Sequence, residues 1–196
     1  MTGRFEEFEL DDRDREHGLV AGYPVWWTRK WIGPYQMDPE DVSALIRSNI
    51  VGVFTWVTAR NEPVTAMLDY VLIDDVVHVT STTNRAKYKA WSRNPAASVC
   101  IFNWANDQES VNLRGRVEII HDHALLERFI RGLLANRMKT TVDAVPDHVF
   151  ERQFRAFDAP DRAVIRLHVD RVVSYDGAKL RAAEREGQDL WGVAKD

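Results

Sequence analysis

The residues best suited to chemistry lie in one stretch, His78 to Pro95, which reads HVTSTTNRAKYKAWSRNP. Hydroxyls at Thr80, Ser81, Thr82 and Thr83 lead to Asn84, a residue fit to cap a helix start, and Pro95 stops the helix after Asn94. Arg85 and Lys87 then fall in the first turn. A helix N-terminus carries partial positive charge and unpaired N–H groups, so cations there oppose the local field. An anion resolves the conflict, because amides, hydroxyls and two cations can converge on one phosphate. The competing reading is a solvated basic face, since Lys89 and Arg93 are also basic. Local chemistry alone does not choose between the two.

Other candidate groups are weaker. His121-x-His123 is spaced for a shared metal but sits at a strand–helix junction, where two surface histidines are the simpler reading, so no metal site is assigned. Asp158-Ala-Pro-Asp161 reads as a turn rather than a carboxylate pair. Ser110 and Ser174 lack a His–acid partner in any recognisable motif. Cys100, the single cysteine, excludes an intrachain disulfide framework and lies in an apolar run where a thiol packs as a small hydrophobe. Trp56, Trp91 and Trp104 read as core or interface residues able to stack on a flat ligand.

The elements that position this stretch follow from period and punctuation. Asp38-Pro39 starts a short helix striped by Val42, Leu45 and Ile46, ending near Asn49. Strands are expected at 50–59, 64–73, 76–81, 97–104, 110–120 and 162–174, the fifth bent at Gly115. The first three read as an antiparallel meander with turns at 60–63 and Asp74-Asp75. Leu125, Leu126, Phe129, Ile130, Leu133 and Leu134 mark a helix over 122–138, and a second amphipathic helix follows over 147–157. This is a mainly β pattern: a six-stranded antiparallel barrel with helices packed against its openings, which also hides the sheet edges.

Flanking segments divide the chain into an arm (1–37), the barrel (38–177) and a charged, helix-prone tail (178–196) anchored by Trp191. The arm opens acidic and then carries Tyr23, Trp26, Trp27, Trp31 and Tyr35, too much aromatic surface to leave in water. Trp26, Trp27 and Trp31 are expected to be buried, closing one side of the barrel or of a dimer. The chain has 196 residues, 45% hydrophobic and 29% charged, enough for one ordinary core. Its net charge of -4 argues against a general nucleic-acid partner. No apolar run approaches the ~18–20 residues of a membrane span, and residues 1–16 lack a signal-peptide core, so no membrane partner and a cytoplasmic location are expected.

The order of strand 50–59, Pro63 turn, strand 64–73, acidic turn and strand 76–81 is followed by T-x-x-x-x-K at 82–87 and R-N-P at 93–95. That set resembles the pyridoxamine 5'-phosphate oxidase-like flavin-binding split-barrel family, which includes flavin and deazaflavin oxidoreductases. Residues 169–177 are similar to the family's closing strand. The resemblance implies a six-stranded split barrel, a homodimer, and a cofactor in the groove between subunits. It implies that Arg85 and Lys87 hold the cofactor phosphate, with Thr80, Ser81 and Thr82 beside them. It also implies that Val64, Thr65, Ala66 and Met67 run along the isoalloxazine ring. Three departures stand out: Asn61-Glu62 replaces the usual Gly-x before Pro63, Ala66-Met67 replaces a common Ser-Pro, and Asp69 replaces an apolar residue. The tail from Lys179 does not resemble the substrate-binding end of true pyridoxamine-phosphate oxidases.

The implied activity is oxidoreduction of an unidentified small molecule with FMN, or alternatively coenzyme F420. The cofactor then carries the redox chemistry, which accounts for the lack of an obvious acid–base pair. Two readings compete: a non-catalytic flavin- or tetrapyrrole-binding protein of the same fold, and a small-barrel single-strand binder disfavoured by the acidic charge.

Overall fold

The computed structural model describes residues 19–20, 23–24, 35–105 and 108–185. The arm tryptophans, the Asn106-Asp107 turn and Trp191 lie outside them. Two short strands, β1 (Leu19–Val20) and β2 (Tyr23–Pro24), pair with each other. Helix α1 (Pro39–Ser48) follows, then β3 (Val51–Val57), β4 (Pro63–Asp69), β5 (Val71–Ile73) and β6 (Val76–Thr82). Helix α2 (Ala86–Arg93) leads to β7 (Ala96–Phe102) and β8 (Glu109–Ile120). Helices α3 (His123–Met138) and α4 (Asp147–Phe157) precede β9 (Arg162–Asp176) and α5 (Gly177–Arg185).

The main sheet is antiparallel, in the order β4-β3-β7-β8-β9-β6-β5. It therefore has seven strands, not the expected six, and curls into a half-barrel. The extra strand comes from the run 64–73, which reads as one strand but breaks at Tyr70. Its first half pairs with β3 at one edge of the sheet, and its second half pairs with β6 at the other. The expected three-strand meander is thus two hairpins. The curled sheet brings its edges to either side of one residue. Tyr70 is buried there, its hydroxyl donating to the Ile46 carbonyl at 2.6 Å, and burial pushes its pKa up.

Alternation along β3 buries Gly52, Phe54 and Trp56 on one face. They join Val99, Ile101, Val111, Leu113, Ile165 and Trp91 in the core inside the curl. A second core lies outside it, where α3 packs Leu126, Phe129, Ile130 and Leu133 against Val71, Ile73 and Val164. Residues 163–165 on β9 are buried without alternation because both faces are covered, whereas residues 168–172 are exposed. Helix α3 starts one residue after the expected 122, and Asp122 caps it: its carboxylate accepts from the Leu125 amide at 2.6 Å. It ends at Lys139 in the left-handed region, φ 52°. Asp38 precedes α1 with Pro39 in its first turn, but the Asp38 carboxylate makes no cap bond and instead accepts from Lys179 Nζ at 3.1 Å.

The predicted bend at Gly115 is a β-bulge. Pairing between β8 and β9 shifts between Arg114, opposite Arg171, and Gly115, opposite Val169.

Candidate phosphate-binding site

Strand β6 pairs with β9 through Thr82 opposite Arg162, and the chain then turns into α2. The Thr83 amide donates to the Asp161 carbonyl at 2.9 Å, closing the turn against the start of β9. The helix cap is Arg85, one residue later than the Asn84 cap expected from sequence. Asn84 is diverted: its side-chain oxygen accepts from the Thr82 hydroxyl at 2.6 Å. Arg85 is extended, φ -76° and ψ 145°, and its side chain offers no acceptor to the first turn. The first intrahelical bond in this turn runs from the Lys89 amide to the Arg85 carbonyl, which leaves the amides of Ala86, Lys87 and Tyr88 before it.

Helix α2 is fixed by its other face. Ala90 and Trp91 are buried, and Trp91 meets Trp56 of β3 edge-to-face at 5.8 Å. The helix thus packs on both β3 and β6, strands far apart in the sheet order but brought together by its curl. On the outer side, Tyr88 Oη and His121 Nε2 lie 3.1 Å apart.

The predicted hydroxyls divide by strand alternation. Thr80 and Thr82 share one face, and Thr80 donates to the Ala163 carbonyl at 2.9 Å. Ser81 points to the other face, is buried, and its hydroxyl lies 3.3 Å from the Thr82 carbonyl. It therefore belongs to the interior rather than to the face of Thr80 and Thr82.

The structure adds a residue that sequence reasoning missed. Arg162 Nε donates to the Phe157 carbonyl at 2.7 Å, its guanidinium carbon lies 4.5 Å from the Phe157 ring centre, and Nη1 lies 3.5 Å from the Thr80 hydroxyl. Burial pulls its pKa down, Asp161 opposes this, and Arg85 adds to the lowering. Lys87 is half-buried, and its pKa is lowered by burial, then by Arg85 and by Arg162. Three cations therefore repel one another around an uncapped helix start. Among the described residues, no ion pair engages any of them. A basic residue opening a strand gives no sequence signal of its own; only the register places it beside Thr82.

Val64 to Met67 lie apart from this cluster in the chain, on the edge strand β4. Val64 and Ala66 pack against the core, while Thr65 and Met67 are exposed. Among the described residues β4 pairs only with β3, leaving its outer backbone edge available to another partner. Asp69 has a structural reason: it accepts from Arg137 of α3 at 2.6 Å.

The weaker candidates separate. His121 faces Tyr88, whereas His123 lies between Glu127 at 3.4 Å and Asp158 at 3.5 Å. Ser174 is buried and accepts from the Met37 amide at 3.1 Å, tying the chain before α1 to β9. Burial pushes the Cys100 thiol up, the direction of an unreactive group.

A second polar row crosses the sheet. His78 is 1% exposed, with Nδ1 2.8 Å from the Val76 carbonyl and Nε2 3.2 Å from Arg166 Nε. Only the neutral ring protonated at Nδ1 satisfies both, since the Arg166 nitrogen must donate. Arg166 and His168 both meet Glu118, at 3.3 and 2.8 Å, and the His168 contact leads in holding that carboxyl below its usual range. Burial is the main cause lowering the His78 pKa; the Val76 carbonyl opposes it and Arg166 reinforces it. The folded state thus takes up this proton at lower pH than the unfolded chain, whose value is near 6.5. Stability from this group is present above that pH and falls as pH drops towards the lowered value, by up to about 1.4 kcal/mol per pH unit. Urea midpoints should fall as pH is lowered below about 6.5, and His78→Gln should flatten the fall. An unchanged slope in His78→Gln would assign the effect to another group.

Among the described residues, no helix is long and apolar enough to cross a membrane. No curated protein sequence matches the chain. Among solved structures, the conserved hypothetical protein Rv2991 from Mycobacterium tuberculosis superposes with a TM-score of 0.66 at 17% identity, over 78% of this chain and 93% of that one. An F420 reductase superposes with a TM-score of 0.51 at 22% identity, over 67% and 94%. HutZ, the heme storage protein from Vibrio cholerae, gives 0.54 at 11% identity, over 72% and 97%. At these identities the likeness is one of fold. The sequence model for pyridoxamine 5'-phosphate oxidase matches residues 38–176, from the residue before α1 to the end of β9, and the chain belongs to that family.

Proposed function

We propose that the chain is an oxidoreductase that binds FMN, or alternatively the deazaflavin coenzyme F420, and acts on a small molecule. The observation carrying this reading is the cluster of Arg85, Lys87 and Arg162 around an uncapped helix start. Such an arrangement is electrostatically unfavourable when empty and suits a phosphate. The flavin would supply the hydride or electron chemistry. The chain's own residues would bind and orient it: Lys87 and Arg85 by charge, the α2 amides by hydrogen bonds, and Val64 to Met67 by the free edge of β4. As in the family resemblance, a second copy of the chain would complete the groove.

A carrier of flavin or tetrapyrrole is the second reading. The fold likeness to a heme storage protein favours it, as does a site built of cations and amides without an acid–base pair.

FMN and riboflavin, titrated into cofactor-free protein and followed by flavin fluorescence, test the reading. Binding of FMN at least about tenfold tighter than riboflavin is expected, narrowing as salt is raised. Equal affinities would remove the phosphate from the site. Turnover of the reduced cofactor with an added acceptor then separates the oxidoreductase from the carrier.

A further inference from the structure

We infer that Arg162 is a third phosphate ligand, and that it tunes the site to a dianionic phosphomonoester over a monoanionic phosphodiester. This rests on the phosphate reading above and extends it from binding to selectivity.

The geometry places Arg162 in the site and holds it there. Antiparallel register sets it opposite Thr82, the last residue of β6 before the turn into α2. Its Nε is committed to the Phe157 carbonyl, and its plane rests near the Phe157 ring. The Nη1 edge is turned towards Thr80, on the same strand face as Thr82. A guanidinium held firmly at Nε and by a long bond at Nη1 still presents its other Nη N–H donors in a rigid fork, a geometry suited to phosphate oxygens. Arg162 is therefore preorganised, so little side-chain freedom is lost when an anion arrives.

Charge counting then gives the selectivity. Arg85, Lys87 and Arg162 bring three positive charges, and Asp161 is the acidic neighbour that acts on Arg162. The sum is +2. A phosphomonoester above its second pKa of about 6 carries -2 and balances the site. A phosphodiester carries one negative charge and leaves one positive charge unmatched at a half-buried lysine. Without Arg162 the sum is +1, which suits the diester instead. Riboflavin has no phosphate and gains from neither arrangement.

FMN, FMN monomethyl ester and riboflavin, each titrated into cofactor-free protein at about pH 8, separate the possibilities because FMN is then fully dianionic. The wild type should bind FMN at least about tenfold tighter than the methyl ester, and the ester tighter than riboflavin. Arg162→Gln should compress the FMN-to-ester ratio to within about threefold while circular dichroism stays unchanged. Arg162→Lys keeps the charge and should keep most of the ratio. Lys87→Ala also lowers the sum to +1, so it should weaken FMN more than the ester and compress the ratio in the same direction. An Arg162→Gln variant with the wild-type ratio, or an Arg162→Lys variant that loses it as fully as Arg162→Gln, would overturn the assignment. Wild-type protein that binds FMN no better than riboflavin would instead sink the phosphate reading on which the assignment stands.

Discussion

Gly115→Ala should destabilise the folded protein by about 3 kcal/mol, the range of severe overpacking. A Cβ built at Gly115 would overlap the His168 carbonyl, with the carbonyl carbon at 2.8 Å and the Asp170 amide at 3.1 Å. These are backbone atoms, which cannot swing aside as a flexible side chain would. They belong to the bulge where Asp170 is the extra residue between the pairs Arg114–Arg171 and Gly115–Val169. Relief requires β9 to separate from β8 along a ladder that runs from Glu109–Asp176 to Ile120–Val164. The far end of β9 carries Arg162 opposite Thr82, so a shift in this ladder also reaches the candidate site. Urea denaturation gives the comparison, with Arg114→Ala as the exposed neighbour, expected within about 0.5 kcal/mol of wild type. A Gly115→Ala midpoint as high as that control would mean that β9 adapts freely and the bulge places no demand on this glycine.

Local signals were legible wherever a residue's role depends on its near neighbours. The stripe from Leu125 to Leu134 gave α3, whose start lies one residue after the expected 122, with Asp122 as its cap. Gly115 marked its bulge because a missing side chain in a strand has few other uses. Arg85 and Lys87 could be picked out as candidates because cations at a helix start break a local rule. Failures came where tertiary partners decide. The run 64–73 has uninterrupted strand propensity, and nothing local says that Tyr70 will pass the chain from one sheet edge to the other. Asn84 is a better helix cap than Arg85 by propensity, but Thr82 takes its side chain. Asp69 looked out of place until α3 supplied Arg137. Arg162 was invisible for the same reason: a register between β6 and β9, not a motif, sets it opposite Thr82 beside the candidate cluster.

Lys87→Ala and Arg85→Ala should each weaken binding of FMN by roughly ten- to a hundredfold, the loss of one charge-assisted hydrogen bond of about 1.5–3 kcal/mol. Lys87 should give the larger loss. It is half-buried, where a charge pair is less screened by water, whereas Arg85 is exposed at the cap. The same burial lowers the Lys87 pKa, with Arg85 and Arg162 adding to the effect, so the empty protein holds this charge at some expense. Replacing it relieves repulsion among three cations and an unfavourable contact with the helix dipole. Stability and affinity should therefore move in opposite directions: the cofactor-free Lys87→Ala variant should melt no lower than wild type while binding FMN far more weakly. That divergence separates a binding residue from a structural one, because a side chain holding the fold would lower both. Thermal melts of cofactor-free protein and fluorescence titrations on the same samples read the two quantities. Raised salt should shrink the difference between wild type and variant, since the variant has lost the charge that salt screens. Wild-type affinity in both variants, with both still folded, would place the phosphate away from α2.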